Sequence, residues 1–535
     1  MSVTVQDKQI SLSRWQKAAF RIQILNDDGT ILDELQSLAD MGSITTDSSG
    51  YSRRTYSFTM SFPEKGINFS EKSKLWMHRD VKVQVGLKTP RMKDYHWYDC
   101  GVFVFTDIST TYDQTTRSLT ANCSDKMAQL DGTVNGELNA IKTTIPAYEE
   151  DDDGNPTHYY TIREVLCKVI SELGGIKKFI VDDIGEYYGT EANPDYMQYR
   201  SLHPGWNYLP YDLEYSVGAN VAEILSDIVE LYPDNDCAFD ESGVLRIGMI
   251  PSCTEDDVIL ENEEIQALVI DESCSTDISS VRNVVHVWGQ TFEPDYFADD
   301  CLNTNNTYTV TIDSYDEYVN GDLIGITIPA SNASVQFINI NQLGAYPIYD
   351  TATNTNLGEN TLSGGTYVFQ YEKQRFYLQG QWQAHALSVL VDGSVSKETW
   401  QCEDGTRVPK YSKKYFQEKY AVQSVDLKII PDSPFTVQKI GERLSVKSGD
   451  VYDNITSDAL ALLRSDYELK KSARLTDNIT ITLSALLPWV KEYMKISYKK
   501  MNEPETKQYL TDSVTLNFSD GTTSITMHTF YPLYE

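Results

Sequence analysis

Apolar and polar residues alternate along most of this chain. Phe20-Arg-Ile-Gln-Ile-Leu, Tyr56-Ser-Phe-Thr-Met-Ser-Phe and Val81-Lys-Val-Gln-Val-Gly-Leu each turn every second side chain to an apolar face, the period of a half-buried strand. Asn26-Asp-Asp-Gly-Thr predicts a hairpin turn, and Pro63 ends the second strand. Gly101-Val-Phe-Val-Phe-Thr-Asp-Ile is a β-forming run, Asp113-Gln-Thr-Thr a turn, and Arg117-Ser-Leu-Thr-Ala-Asn-Cys-Ser a further alternating strand. Roughly six strands are expected over residues 1–135, which suits a small barrel or sandwich.

The period changes over residues 136–260. Thr161-Ile-Arg-Glu164 is a capping box, and Val165, Leu166, Val169, Ile170 and Leu173 follow on one helical face before Gly174-Gly175. A second helix is predicted from Asn220, with Val221, Ile224, Leu225, Ile228 and Leu231 as its stripe. With the strand Val244-Leu-Arg-Ile-Gly-Met-Ile this makes an α/β insert. The strand Ile278–Gly289 is expected to return to the first barrel, completing it over about 261–290. Residues 291–420, rich in Asn, Thr, Tyr and Gly, predict an inserted antiparallel β domain. Residues 421–535 predict one long helix, capped by Thr456 or Ser457 with Lys470, Lys471 and Arg474 near its end, and then four strands.

The last strands repeat an earlier wording. Leu510-Thr-Asp-Ser-Val-Thr-Leu-Asn-Phe-Ser-Asp-Gly-Thr-Thr-Ser-Ile-Thr-Met lies over Phe105-Thr-Asp-Ile-Ser-Thr-Thr-Tyr-Asp-Gln-Thr-Thr-Arg-Ser-Leu-Thr-Ala. Trp76 precedes Lys82, and Trp489 precedes Lys495, by the same interval. One β unit used twice explains this; coincidence among Thr- and Asp-rich strands is the alternative. The expected fold class is mainly β with an α/β insert: two related small antiparallel β-barrels, the inserted α/β domain and an inserted β-sandwich-like domain.

Composition sharpens this outline. At 535 residues the chain exceeds one core. Its 45 Lys and Arg against 78 Asp and Glu give a net charge of −33, which argues against a nucleic-acid binder and against adsorption to anionic lipid. An acidic wall is compatible with nucleic acid as traffic, since it does not trap phosphate. The 35 Tyr outnumber the 17 Phe twofold, and a ring with a polar end suits strands that meet water or another subunit. The eight Cys include no C-x-x-C pair, so buried thiols of a chain folded in a reducing cytoplasm are expected. The N-terminus lacks the apolar core of a signal peptide, and no run is long enough to predict a membrane span.

Chemistry is hard to find. G-x-S-x-G, H-E-x-x-H, a Walker loop and G-x-G-x-x-G are missing, and the seven His are scattered. No catalytic, cofactor or metal residues are predicted. Glu149–Gly154 resembles half of an EF-hand loop, but Tyr160 stands where the bidentate Glu belongs; a solvated acidic loop is expected. Tyr367, Phe369, Tyr371, Phe376, Tyr377 and Trp382 crowd together. They predict either a partner or glycan surface, with Tyr367, Phe369, Tyr371, Tyr377 and Trp382 as its contacts, or a sandwich core with its cross-strand pairs.

The order of pieces resembles the hub proteins of phage tails and baseplates. These carry a strand-turn-strand with a closing Asp-Lys, here Gly101 to Lys126. An insert follows, with a helix like Asn220-Val-Ala-Glu-Ile-Leu-Ser-Asp-Ile and a turn like Phe239-Asp-Glu-Ser-Gly-Val-Leu. A strand like Val281-Arg-Asn-Val-Val-His-Val-Trp-Gly and a final unit like Ser457–Leu469 with Leu487-Pro-Trp489 complete the order. The resemblance implies a non-enzymatic homotrimer in which two barrels per chain make a ring of six, joining a six-fold tail tube to a three-fold spike, needle or fibre. Its implied partners are its own copies, a distal tail or tail-tube protein, the spike, needle or fibre protein and the tape-measure protein, with DNA only as transported cargo. Its implied place is the virion tail tip, after synthesis in the host cytoplasm. Residues 291–420 depart from the compact hub. The rival expectation is a glycan-binding or glycan-cleaving β protein of a phage fibre or bacterial surface.

Overall fold

The computed structural model describes residues 3–13, 15–26, 28–35, 38–50, 52–61, 75–76, 79–113, 117–146, 148–150, 156–182, 209, 212–230, 235–250, 258–329, 336–351, 355–358, 362, 364–402, 404–449, 452, 455 and 457–530. Its main element is a thirteen-stranded sheet. The strands are β1 (Lys17–Leu25), β2 (Ile31–Glu34), β3 (Leu38–Asp47), β4 (Arg54–Ser61), β5 (Val81–Lys88), β6 (His96–Tyr112), β7 (Arg117–Asp125), β8 (Val258–Leu260), β9 (Val269–Asp277), β10 (Thr476–Leu483), β11 (Lys495–Tyr498), β12 (Lys507–Asn517) and β13 (Thr522–Thr529).

The alternation read from the sequence sets the faces. In β4, Tyr56, Phe58 and Met60 are buried while Thr55 and Ser61 are exposed. In β13, Thr523, Ile525 and Met527 are buried between half-buried neighbours.

The pairings form two series with one order. The first runs β3-β4-β7-β6-β5-β1. The second runs β9-β10-β13-β12-β11-β8. Trp76 and Trp489 therefore precede corresponding strands, β5 and β11. In both long hairpins the first strand carries a bulge, between Phe105 and Asp107 in β6 and between Thr511 and Ser513 in β12. The series differ at one edge, where β1 runs antiparallel to β5 but β8 runs parallel to β11.

The two series are not separately cored. β3 pairs antiparallel with β12, Ser43 to Asn517 through Asp47 to Ser513, and so fuses them. One contiguous apolar cluster joins Ile22, Phe58, Phe103 and Leu119 to Ile479, Leu487, Ile496 and Ile525. The N-terminal helix Val5–Ser11 crosses the fusion, its Ser11 Oγ accepting from Trp489 Nε1 at 2.9 Å.

Three expectations about segment boundaries are corrected. Ile278–Gly289 does not return to the first barrel. The strand Val284–Thr291 instead joins a four-stranded sheet with Gln383–Val391, Ser424–Ile429 and Leu444–Lys447. Val284, Val285 and Val287 are all buried, because this strand has apolar partners on both faces. The long helix Asp458–Ser472 covers that sheet through Ala461 and Leu469, and Ser465 Oγ lies 2.7 Å from Ser388 Oγ. It therefore belongs to this layer and not to the second barrel. The expected antiparallel domain is a mixed eight-stranded sheet lying between Tyr296 and Gln381, with three parallel pairs. It curls around its own core of Tyr308, Ile324, Ile326, Ile338, Phe369 and Phe376.

The α/β insert contains both predicted helices. Thr161 and Glu164 form the capping box of Ile162–Lys168, which continues as a π turn over Val169–Leu173. Asn220 Oδ1 accepts from Glu223 N at 2.8 Å at the start of Val221–Glu230. Ser457 caps the long helix, while Thr456 lies outside the described residues. So does most of the acidic 149–154 loop. Among the described residues, no helix is long and apolar enough to cross a membrane.

Candidate assembly surfaces

The fused sheet has an internal seam and edge strands. The seam between β3 and β12 is held by ordinary ladder pairing and by a hydroxyl contact, Thr45 Oγ1 to Thr515 Oγ1 at 3.1 Å. A buried ionic network lies beside it. Asp125, 1% exposed, accepts from the backbone N–H groups of Arg53, Arg54 and Met127 at 2.8, 3.0 and 3.0 Å. Burial pushes its carboxyl above the usual range, and these donors pull it back.

Side chains of the same arginines reach two other segments. Arg54 donates to Phe239 O of the insert, to Glu241 at 3.2 Å and to Glu492 at 3.4 Å. Arg53 pairs with Asp236 and donates to Tyr493 Oη at 3.1 Å. Lys491 lies 2.5 Å from Glu241. Burial opposes ionisation of Glu241, but Arg54 and Lys491 outweigh it and hold its pKa below the usual value. The insert is thus clamped to the seam by charges that are costly to separate in a dry environment. Sequence reasoning missed this network. Its signal was an Arg-Arg pair beside the turn Asp47-Ser-Ser-Gly in an acidic chain.

Among the described residues, β9 is an end strand of the sheet, paired only with β10. Its flank exposes Ile270 (59%) and Ile278 (66%), and Cys274 is exposed as well. Among the described residues, the far half of β6, from Ile108 to Tyr112, pairs with β7 alone, since β5 reaches only to Phe103. Tyr112 at its tip is 75% exposed. An unpaired strand edge is a template for another chain.

The predicted aromatic surface divides in two. Phe369 is fully buried, and Tyr367 and Tyr371 are each 6% exposed. They point into the core of the eight-stranded sheet with Phe376, so the surface reading of Tyr367, Phe369 and Tyr371 is corrected. Their odd-numbered positions share the inner face of one strand, and burying a ring there outweighs exposing it. Tyr377 is half-buried and Trp382 is 41% exposed, 5.6 Å from the ring of Phe297.

A His pair lies in the four-stranded sheet, His286 buried and His385 half-buried. His286 Nε2 and His385 Nδ1 are 3.3 Å apart, and Trp288 stacks on His385 at 4.5 Å. Burial pushes the His286 imidazole down to about 4, and the neighbouring His385 adds to this. Tyr420 meets His286 edge-on, and Asp458 accepts from the backbone N–H of His385 at 3.0 Å.

Comparison with known proteins places this geometry among others. Residues 432–534 match a family described as a domain of unknown function, DUF5048. No curated protein matches the sequence. Among solved structures, the chain is similar to the 43 kDa tail protein of prophage MuSo2 from Shewanella oneidensis, with TM-score 0.41 and 10% identity over 96% of this chain and 98% of that one. It is similar to a tail protein from Neisseria meningitidis, with TM-score 0.43 and 8% identity over 96% and 98%. It is also similar to prophage tail protein gp18 from Listeria monocytogenes, with TM-score 0.40 and 8% identity over 95% and 94%. Each of these three structures is described as a tail protein.

Proposed function

We propose that this chain is a structural hub at the distal end of a phage tail or related injection apparatus. Three copies form a ring of six similar units around a channel. The observation that carries the reading is the seam between β3 and β12. In each series the end strand, β3 or β9, borders β4 or β10, and the long strand, β6 or β12, carries a free half. Inside one chain, the end strand of the first series fills the free half in the second. Among the described residues, the free half in the first series and the end strand of the second are both left open. Filling one with the other from the next copy repeats the same seam, and a repeated head-to-tail contact closes a ring when its rotation allows.

The in-chain seam fixes the register of the proposed one. Ile44 lies opposite Tyr56 and Leu516, while Cys274 lies opposite Ile479. Tyr56 and Ile479 face Cys123 and Met527. Ile108 and Val514 face Ala121 and Ile525. Cys274 of one copy should then face Thr110 of the next, and Ser275 should face Ser109, as Thr45 faces Thr515.

In this reading the ring joins a six-fold tail-tube protein to a three-fold spike, needle or fibre. DNA passes as cargo, past a chain of net charge −33. Duplex DNA carries about one charge per 1.7 Å of axis, so a wall of like sign lets it slide. The role is assembly and calls for no catalytic residue. The test uses the native exposed thiol. Thr110→Cys, oxidised in the assembled protein, should give crosslinked dimers and trimers on a non-reducing gel, and adding Cys274→Ser should abolish them. A mass measurement giving only monomers in the assembled particle would sink the reading.

A further inference from the structure

The eight-stranded sheet has an outer face that neither its core nor the proposed ring explains. Tyr296–Ala298, Leu323–Ile328, Gly365–Glu372, Arg375–Gln381 and Ala345–Asp350 lie side by side in that order. Five adjacent strands span roughly 19 Å across the ladder at the usual strand spacing. Ile324, Ile326, Phe369, Phe376 and Ile348 occupy the inner face. Strand alternation turns their neighbours outward.

Aromatic rings border this outer face on both sides. At one border Phe297 and Trp382 lie 5.6 Å apart, 44% and 41% exposed. Phe297 has its seat because residue 325 is Gly: a β-carbon there would come within 2.7 Å of the ring. At the other border Tyr349 and Tyr377 lie 6.0 Å apart, with the Arg375 guanidinium 4.5 Å from the Tyr349 ring. Between the borders lie hydroxyls and amides around the buried Val368. Thr327 and Thr366 are in hydroxyl contact at 3.0 Å, and Gln379 Nε2 donates to Gln370 at 3.4 Å. Glu372 pairs with the neighbouring Lys373 at 3.8 Å, and the exposed Asp295 accepts from Leu323 N at 3.0 Å near the Phe297 border.

We propose that this face binds an uncharged polysaccharide. Ring stacking at the two borders holds the apolar faces of sugar residues, and the amides and hydroxyls between them meet sugar hydroxyls. Charge selects the class: a polyanion would be repelled by the acidic surroundings of a chain with net charge −33. A neutral polyhydroxylated chain loses nothing on approach. The inference stands apart from the ring, because none of these residues lies on an edge used by the proposed seam.

The test is affinity electrophoresis of the full-length protein in native gels containing dextran, hydroxyethyl cellulose or yeast mannan, with dextran sulfate as the polyanion control. At least one neutral polymer should retard the wild type. Trp382→Ala and Tyr377→Ala should each weaken that retardation about five- to tenfold, the scale of losing one stacked ring. Trp15→Ala, which removes an indole 78% exposed elsewhere, should leave it unchanged, with circular dichroism confirming that each variant is folded. Retardation by dextran sulfate alone, by none of the polymers, or equally in Trp382→Ala overturns the proposal. A monomer that binds a neutral polymer would remove the hub and leave this inference standing.

Discussion

The two six-strand series reach one order by different routes. Every strand of the first lies between Lys17 and Asp125, and its sequence neighbours are mostly its pairing partners. The second gathers β8 and β9 from Val258–Asp277 and the rest from Thr476–Thr529, with the four- and eight-stranded sheets between them. Chain continuity therefore does not dictate the order. The matching burial patterns do, because each strand has one face that must meet the common apolar cluster. Loop closure over the long gap adds only slowly to the entropy cost, so the second route is thermodynamically accessible though slower to fold.

The largest expected break separates the series at their end strands. Gly42 in β3 has φ +65°, and a β-carbon there would lie 1.6 Å from Ser57 O. Gly42→Val should destabilise the protein by about 4 kcal/mol or more, since backbone must move in both the β3–β4 ladder and the seam. The matching stretch of β9 holds Ile270, 59% exposed, and Ile270→Val should stay within about 0.5 kcal/mol. Urea unfolding of the two variants checks the contrast, and similar losses would mean that the end strands are not differently loaded.

Next in size is the clamp on the seam. Arg54→Ala removes a guanidinium 5% exposed from between Glu241 and Glu492, which are 17% and 13% exposed; Glu241 keeps Lys491. A loss of about 2 kcal/mol is expected, because Glu492 loses a cationic partner while largely withdrawn from water. Hydrogen exchange should show it first at the contact between the insert and the β3–β12 seam.

How much of this was legible in the sequence follows from where the signal is local. The hairpins β6–β7 and β12–β13 carry their own turns and alternation, so their repetition could be read directly, but the register was off by one: Thr511, not Leu510, corresponds to Phe105. Both insert helices announced themselves through side-chain caps at Thr161 and Asn220. The partner of Val281–Gly289 was not legible. A strand buried on both faces looks the same whichever sheet takes it, and its partner Gln383–Val391 lies about a hundred residues on. The long helix misled for the same reason: its apolar stripe states that something is covered, not what. For the aromatic run, spacing in sequence placed Phe369 and Tyr377 in one group, but the ladder puts them on opposite faces.

Acid should separate the thirteen-stranded sheet from the four-stranded one. His286 is neutral in the folded chain down to about pH 4, against an ordinary value of 6.5. Between these values the unfolded chain binds the extra proton, so stability is full above pH 6.5 and falls as pH drops through the window. Allowing for partial solvent screening, the loss by pH 4 should be about 2 kcal/mol. Thermal unfolding followed at Trp288 should shift to lower temperature across that window, and His286→Gln should flatten the dependence. A wild-type curve that stays flat from pH 7 to pH 4 would contradict the burial of His286.

The finest comparison is between hydroxyl contacts on the outer face of each series, across corresponding strands but two residues apart in register. Thr59 Oγ1 lies 3.0 Å from Thr120 Oγ1 across β4–β7, and Thr480 Oγ1 lies 3.0 Å from Thr526 Oγ1 across β10–β13. Each pair is half-buried and joins strands at the same place in the order. Thr59→Val and Thr480→Val keep the β-branched shape and remove one hydroxyl, so each should cost about 0.5 kcal/mol. The informative quantity is the difference between the two losses. If the series are equivalent in energy as well as in order, the losses agree within about 0.3 kcal/mol. A larger loss at Thr480 would mean that the series assembled from distant segments leans harder on side-chain pairing, having fewer hairpins to hold its register.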